Sequence, residues 1–119
     1  MAGLPKKARL LNKADYNVAF SKSVKVSNSI FLILIHKTSH NHSRLGLVIS
    51  KKVDKRAVQR NRIKRISRES FRKTYFDVNC DFVVLARPKI TQLTNKEIFN
   101  SLDQLWNQAQ KKIKQIRKK

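Results

Sequence analysis

The chain has 119 residues, with 28 Lys and Arg against 7 Asp and Glu, a formal charge of +21. That charge excludes most cytosolic metabolic enzymes; a length of this order makes one domain, and an apolar fraction of 40% separates it from disordered basic tails. So cationic a surface opposes its own compaction and calls for a polyanionic partner, nucleic acid ahead of an anionic membrane.

With 2 Gly and 2 Pro there is no linker composition, so residues 1–119 read as a single domain, its basic arm over 1–11 and its tail over 114–119 loosely ordered. No apolar stretch follows the first charges, so the start is no signal peptide. Asn12 is a good N-cap, and Ala14, Tyr16, Val18, Ala19 and Phe20, with Asp15 in the first turn, predict a helix whose Tyr16 and Phe20 share a face. Val24, Val26 and the run over 30–35 are rich in β-branched residues and predict strands. That run is apolar on both faces, so something covers each side, and it is far shorter than the roughly 20 residues that cross a bilayer. A soluble, cytoplasmic protein without a membrane partner is expected.

After a polar connector over 37–43, residues 44–50 predict the next strand, and so short a connector predicts an antiparallel neighbour. Residues 56–75 hold no helix breaker. Cys80 is alone, which excludes an intramolecular disulfide and reads as a buried thiol. A strand over 82–86 follows, closed by Arg87-Pro88. Thr94-Asn95-Lys96-Glu97 has the capping-box pattern, and Ile98, Leu102, Leu105, Ala109, Ile113 and Ile116 recur at steps of three and four. The order α-β-β-β-α-β-α predicts a small α+β two-layer sandwich, a mainly antiparallel four-stranded sheet with three helices.

The chemistry concentrates in residues 51–73, which hold eleven basic residues and two acids, Asp54 and Glu69, a net +9. At about 100° per residue, Ile63, Ile66, Ser67, Ser70, Phe71 and Thr74 fall on one narrow side that faces the sheet. Arg60, Lys64, Arg68 and Arg72 run at successive i+4 steps along the flank, and Asn61, Arg62, Arg65 and Lys73 fill the rest of the arc. Like charges four apart cost a helix a few tenths of a kcal/mol per pair, which a bound anion offsets. The arginine fork suits phosphate and stacks on bases, while Asn61 adds an uncharged donor and acceptor for a sugar or base edge. A merely solvated face needs a charge of only about 2 to 8 in magnitude.

Arg60-Asn61-Arg62-Ile63-Lys64-Arg65, within the longer segment from Ser50, resembles the RNR signature of the bacterial ribonuclease P protein component. Arg9-Leu10, Asp15-Tyr16, Phe20, Arg44-Leu45-Gly46-Leu47, Arg68-Glu69-Ser70-Phe71-Arg72, Asp81-Phe82-Val83-Val84 and residues 102–106 follow the same family order. The resemblance implies the protein subunit of a ribonucleoprotein that binds a catalytic RNA and removes the 5′ leader of precursor tRNA. Hydrolysis would be performed by the RNA and its Mg2+, with no catalytic residue in the protein, no metal held by it, and one protein per RNA. It implies that Lys51, Lys52, Arg56, Arg60, Asn61, Arg62, Lys64, Arg65, Arg68 and Arg72 contact RNA, and that Tyr16, Phe20 and Leu34 line a cleft for the single-stranded leader. It also implies a left-handed βαβ crossover, against the general right-handed rule.

Two departures stand out. Ser23 occupies a position that is often Gly, and Leu34 one that is often Tyr; Phe31 cannot replace that ring, because an odd step along a strand faces the other side. Tyr16 and Phe20 are also compatible with ordinary core, and Trp106 reads as packing. His36, His40 and His42 have spacing that a metal could use, but they lie in or beside a polar connector without a nearby Cys or carboxylate pair, and a loop without metal is the simpler reading. The alternatives are a structural RNA-binding protein such as a ribosomal protein, and a protein-only metallonuclease using those histidines.

Overall fold

The computed structural model describes residues 17, 21, 23–37, 42–76 and 78–117. Its elements are β1 (Val24–Ser27), β2 (Phe31–Lys37), β3 (Arg44–Val48), α1 (Ala57–Lys73), β4 (Cys80–Ala86), a 3-10 turn (Pro88–Gln92) and α2 (Asn95–Arg117). The predicted first helix, with Tyr16 and Phe20, lies outside the described residues except for Asn17 and Ser21, which are both helical. The fold class is α+β with two α-helices among the described residues, where three were expected.

The four strands form one sheet in the order β1-β2-β4-β3. The β1–β2 and β2–β4 pairs are antiparallel and the β3–β4 pair is parallel, so the sheet is mixed. The expected β2–β3 neighbours are therefore corrected: the short connector does reverse the chain, but β4 inserts between the two strands. The reason is burial. β4 is the strand whose first five residues are all buried, and a strand apolar on both faces gains most from a central place.

Strand alternation sorts the sheet into two faces. Phe31, Ile33, Ile35, Leu45, Phe82 and Val84 join Ile63, Ile66 and Phe71 of α1 and Ile98, Leu102, Leu105, Trp106, Ala109 and Ile113 of α2 in the main core. The expected apolar sides of both helices are thus the buried ones, and Ile116 lies outside the described side chains. Leu34 and Val83, flanked by Leu32, Val48 and Leu85, form a second cluster on the opposite face, and Phe31 does face away from Leu34. Along the same face Arg44 and Asp81 stand opposite each other in register and form a two-pronged ion pair, Nε to Oδ1 at 2.8 Å and Nη2 to Oδ2 at 2.7 Å. This pair joins β3 to β4 at the first position of their parallel register. Beside it, burial and the Asp81 carboxylate push the Cys80 thiol up to about 11, so it stays protonated and inert. The Ser23 hydroxyl, at the position often held by Gly, is buried without a hydrogen-bond partner among the described residues.

The capping box at the start of α2 forms as the sequence predicts. The Glu97 amide donates to Thr94 Oγ1 at 3.2 Å and the Thr94 amide donates to Glu97 Oε1 at 3.0 Å. The Thr94 amide, with the Thr94 side chain, holds the Glu97 carboxyl below its ordinary range. Thr94→Ala should cost about 1 kcal/mol and lower the thermal midpoint by roughly 3–5 °C. Because the folded value is the depressed one, the Glu97 contribution is complete above pH ~4.3 and is lost as pH falls through the folded value. The gap between parent and Glu97→Gln melts should accordingly narrow in acid; a gap that widens there would contradict this assignment.

Candidate nucleic-acid interface

The basic helix α1 is held by bonds that its own sequence supplies. No side chain caps its start and its first turn has no acid, so the preceding loop does that work. The Asp54 carboxylate accepts the Arg56 amide at 2.8 Å and the Arg56 guanidinium at 2.9 and 3.1 Å. The Arg56 side chain and amide, with a further bond from the Thr91 side chain, keep the Asp54 carboxyl far below its ordinary range. Arg60 turns back from the first helical turn and donates through Nη1 to the Asp54 and Lys55 carbonyls at 3.0 and 2.8 Å.

Arg62 is engaged more completely. Its Nε donates to Gln59 Oε1 at 3.1 Å, Nη1 to the Leu93 carbonyl at 3.3 Å and Asn95 Oδ1 at 2.6 Å, and Nη2 to the Thr91 carbonyl at 3.1 Å. One guanidinium therefore ties α1 to the 3-10 turn and to the first residue of α2. At the other end Glu69 pairs with Arg72 and Lys73 at 3.4 and 3.7 Å.

What remains is a row that the protein itself leaves unused. Asn61, Lys64, Arg65 and Arg68 make no side-chain hydrogen bond or ion pair among the described residues; Asn61 and Arg65 are exposed, Lys64 and Arg68 half-buried. Lys51 and Lys52 are exposed on the turn that leads into the helix. Such a row can neutralise several phosphates at once, and the Arg residues can also donate paired bonds. Lys64, Arg65, Arg68 and Arg72 thus share the helix with Arg60 and Arg62; Arg62 uses all three of its nitrogens within the protein and Arg60 its Nη1.

Of the expected leader cleft, Leu34 is described: it is 2% exposed on the sheet face away from α1 and α2. Tyr16 and Phe20 lie outside the described residues, as does His40. His36 is half-buried in the row that pairs it with Asp81, and His42 is half-buried in the connector. Trp106 is buried and packs as expected, with its indole N–H on Ser70. The residues that sequence reasoning missed are Asp54, Thr91 and Asn95. An Asp two positions before a helix start could have signalled the first, since Asx turns bond the amide two residues on; nothing in the sequence marks Thr91 or Asn95 as partners of Arg62.

Comparison with known proteins covers nearly the whole chain. Residues 4–110 match the family model described as Ribonuclease P. The chain is 47% identical over 110 residues to the ribonuclease P protein component of a Marinomonas species, covering 91% of this chain and 83% of that one. Among solved structures, the Staphylococcus aureus RNase P protein superposes with a TM-score of 0.80 at 33% identity, over 86% of this chain and 94% of that one. The RNase P protein of Thermotoga maritima gives 0.73 at 29% identity, over 82% and 93%.

Proposed function

The chain belongs to the ribonuclease P protein family, and on that premise we propose that it is the protein subunit of a ribonucleoprotein endoribonuclease that removes the 5′ leader of precursor tRNA. The observation that carries the reading is the row Asn61, Lys64, Arg65 and Arg68, left without internal partners on a helix that Arg60 and Arg62 hold rigid. A preformed cationic row loses little entropy when it meets phosphates, and that favours docking on a folded RNA.

In this reading Lys51, Lys52, Asn61, Lys64, Arg65, Arg68 and Arg72 meet the catalytic RNA, Arg56 stands exposed beside them while bonded to Asp54, and Arg60 and Arg62 brace the surface through their bonds within the protein. Tyr16, Phe20 and Leu34 line the cleft for the single-stranded leader, and of these Leu34 stands on the sheet face away from α1 and α2. The crossover from β3 through α1 to β4 is left-handed, and a first helix over Tyr16 and Phe20 completes the three. Among the described residues four carboxylates are engaged, Asp54 by Arg56, Glu69 by Arg72 and Lys73, Asp81 by Arg44 and Glu97 by the Thr94 amide, and no group of three or more His, Cys, Asp or Glu is placed to hold a metal ion. Mg2+ is accordingly assigned to the RNA, where it supplies the hydrolytic chemistry, with one protein per RNA acting in the cytoplasm.

The test is precursor-tRNA cleavage at low Mg2+ by the cognate ribonuclease P RNA with and without the full chain. Faster cleavage with the protein, at the 5′ end of the mature tRNA, is expected. Equal rates would overturn the reading in favour of a structural RNA-binding protein. In chain composition nothing separates those two; only the reaction does.

A further inference from the structure

The solvent side of α1 carries a stripe that its charge count does not reveal. Starting at Val58, the positions Asn61, Arg65, Arg68 and Arg72 follow at alternating steps of three and four, which keeps them on one side of the helix. Ile63, Ile66, Ser67 and Ser70 are buried on the opposite side. The next step of three lands on Tyr75, just past the Thr74 cap. Backbone there is extended, and Phe76 beyond it turns in against Phe71 and Phe82, so alternation sends Tyr75 outward.

Val58 is 76% exposed and Tyr75 78% exposed, and among the described residues these are the exposed large hydrophobic side chains. A single exposed apolar residue is ordinary. Here the two stand at the two ends of one cationic row, about 25 Å apart at the rise of a helix. A polyanion recognised by charge alone needs only the arginines between them. At the Tyr75 end charge is also the weaker tool, because Glu69 already pairs with Arg72 and Lys73 and the helix C-terminus is negative. An aromatic ring suits that end better, provided the partner offers unpaired bases as well as phosphates.

We propose that Val58 and Tyr75 are apolar RNA contacts that bracket the arginine row, Tyr75 stacking on an unpaired base and Val58 packing against a sugar or base edge of the same folded RNA. The proposal rests on the reading that this face docks on the catalytic RNA, and the experiment separates the two. Affinity of the full chain for the cognate ribonuclease P RNA is measured over a range of salt. Tyr75→Ala should weaken binding about 5- to 100-fold, the range of one lost stack. The slope of log affinity against log salt should stay unchanged, since no phosphate contact is removed. Tyr75→Phe should bind like the parent, and Val58→Ala should lose about 3- to 10-fold. Arg65→Ala, in contrast, should weaken binding and flatten the slope by about one. If Arg65→Ala changes neither affinity nor slope, the docking face itself is wrong. If Arg65→Ala behaves as stated while Tyr75→Ala and Val58→Ala bind within twofold of the parent, the bracket alone is overturned. It is overturned too if Tyr75→Phe loses as much as Tyr75→Ala.

Discussion

Replacing Trp106 with alanine is expected to cost about 3–5 kcal/mol in urea unfolding, a large part of the 5–15 kcal/mol that holds a domain of this size together. The indole is 1% exposed and sits at the meeting point of three elements. Its ring lies 5.8 Å from Phe71 of α1, 5.6 Å from Phe82 of β4 and 5.7 Å from Phe76, edge to face in each case. Edge-to-face pairs add about 0.5–1.5 kcal/mol each beyond the area they bury. Its N–H also donates to Ser70 Oγ at 2.8 Å within the core. Alanine would lose the ring contacts and the hydrogen bond together and leave a cavity between both helices and the sheet. Trp106→Phe keeps an aromatic ring but not the donor, and Ser70→Ala strands the donor without its acceptor. Each should cost about 1–3 kcal/mol, the penalty for an unsatisfied buried polar group. The double change Trp106→Phe with Ser70→Ala should cost less than the sum of the two. Strict additivity would show that the bond contributes nothing, and a Trp106→Ala cost below about 1 kcal/mol would show that the cluster is not the hinge of the core.

Much of this arrangement is legible in the residues. The steps of three and four from Ile98 to Ile113 describe one face of a helix, and the box Thr94 to Glu97 marks its start, because both signals are local. The narrow side of α1 reads equally well: Ile63, Ile66, Ser67, Ser70 and Phe71 are all buried. Even the two serines follow, since Ser67 donates to the Ile63 carbonyl one turn back and Ser70 meets the Trp106 indole. Strand partners are another matter. A short connector between β2 and β3 argues for a hairpin, yet β4 takes the place between them, and that choice is made by the burial of β4 across 31 or more residues of intervening chain. The Arg44–Asp81 pair is hidden for the same reason, as its members are 37 positions apart.

The site is legible in composition but not in division of labour. Composition assigns every base of α1 to one arc; hydrogen bonding separates those that face outward from those that face the fold. Arg56 and Arg60 serve the loop before the helix, and that loop in turn reaches Thr91 through Asp54. Backbone carbonyls are invisible in a sequence, so no pattern could have shown that Arg62 ends on Thr91 and Leu93. The signature Arg60-Asn61-Arg62 thus combines two arginines bonded within the protein with one exposed asparagine.

Replacing Arg62 with alanine is expected to destabilise the protein by about 2–4 kcal/mol and to free the start of α2 before the rest of the fold. Four bonds from a charged donor would be lost, and two carbonyls, those of Thr91 and Leu93, would lose the donor that serves them. Arg62→Lys should recover little. A lysine carries its donors on one atom, whereas the acceptors at Gln59, Thr91, Leu93 and Asn95 are spread around a planar fork. Amide hydrogen exchange should therefore quicken in residues 93–98 in both variants, and leave β2 and β4 at the rate of global unfolding. Arg65→Ala should change none of these rates. RNA affinity supplies the second readout: loss of a phosphate contact lowers the salt slope by about one, so Arg65→Ala flattens it. Arg62→Ala should weaken binding through the displaced helix while keeping the parent slope. A flattened slope together with unchanged exchange at the start of α2 would reverse the assignment and make Arg62 a direct phosphate ligand.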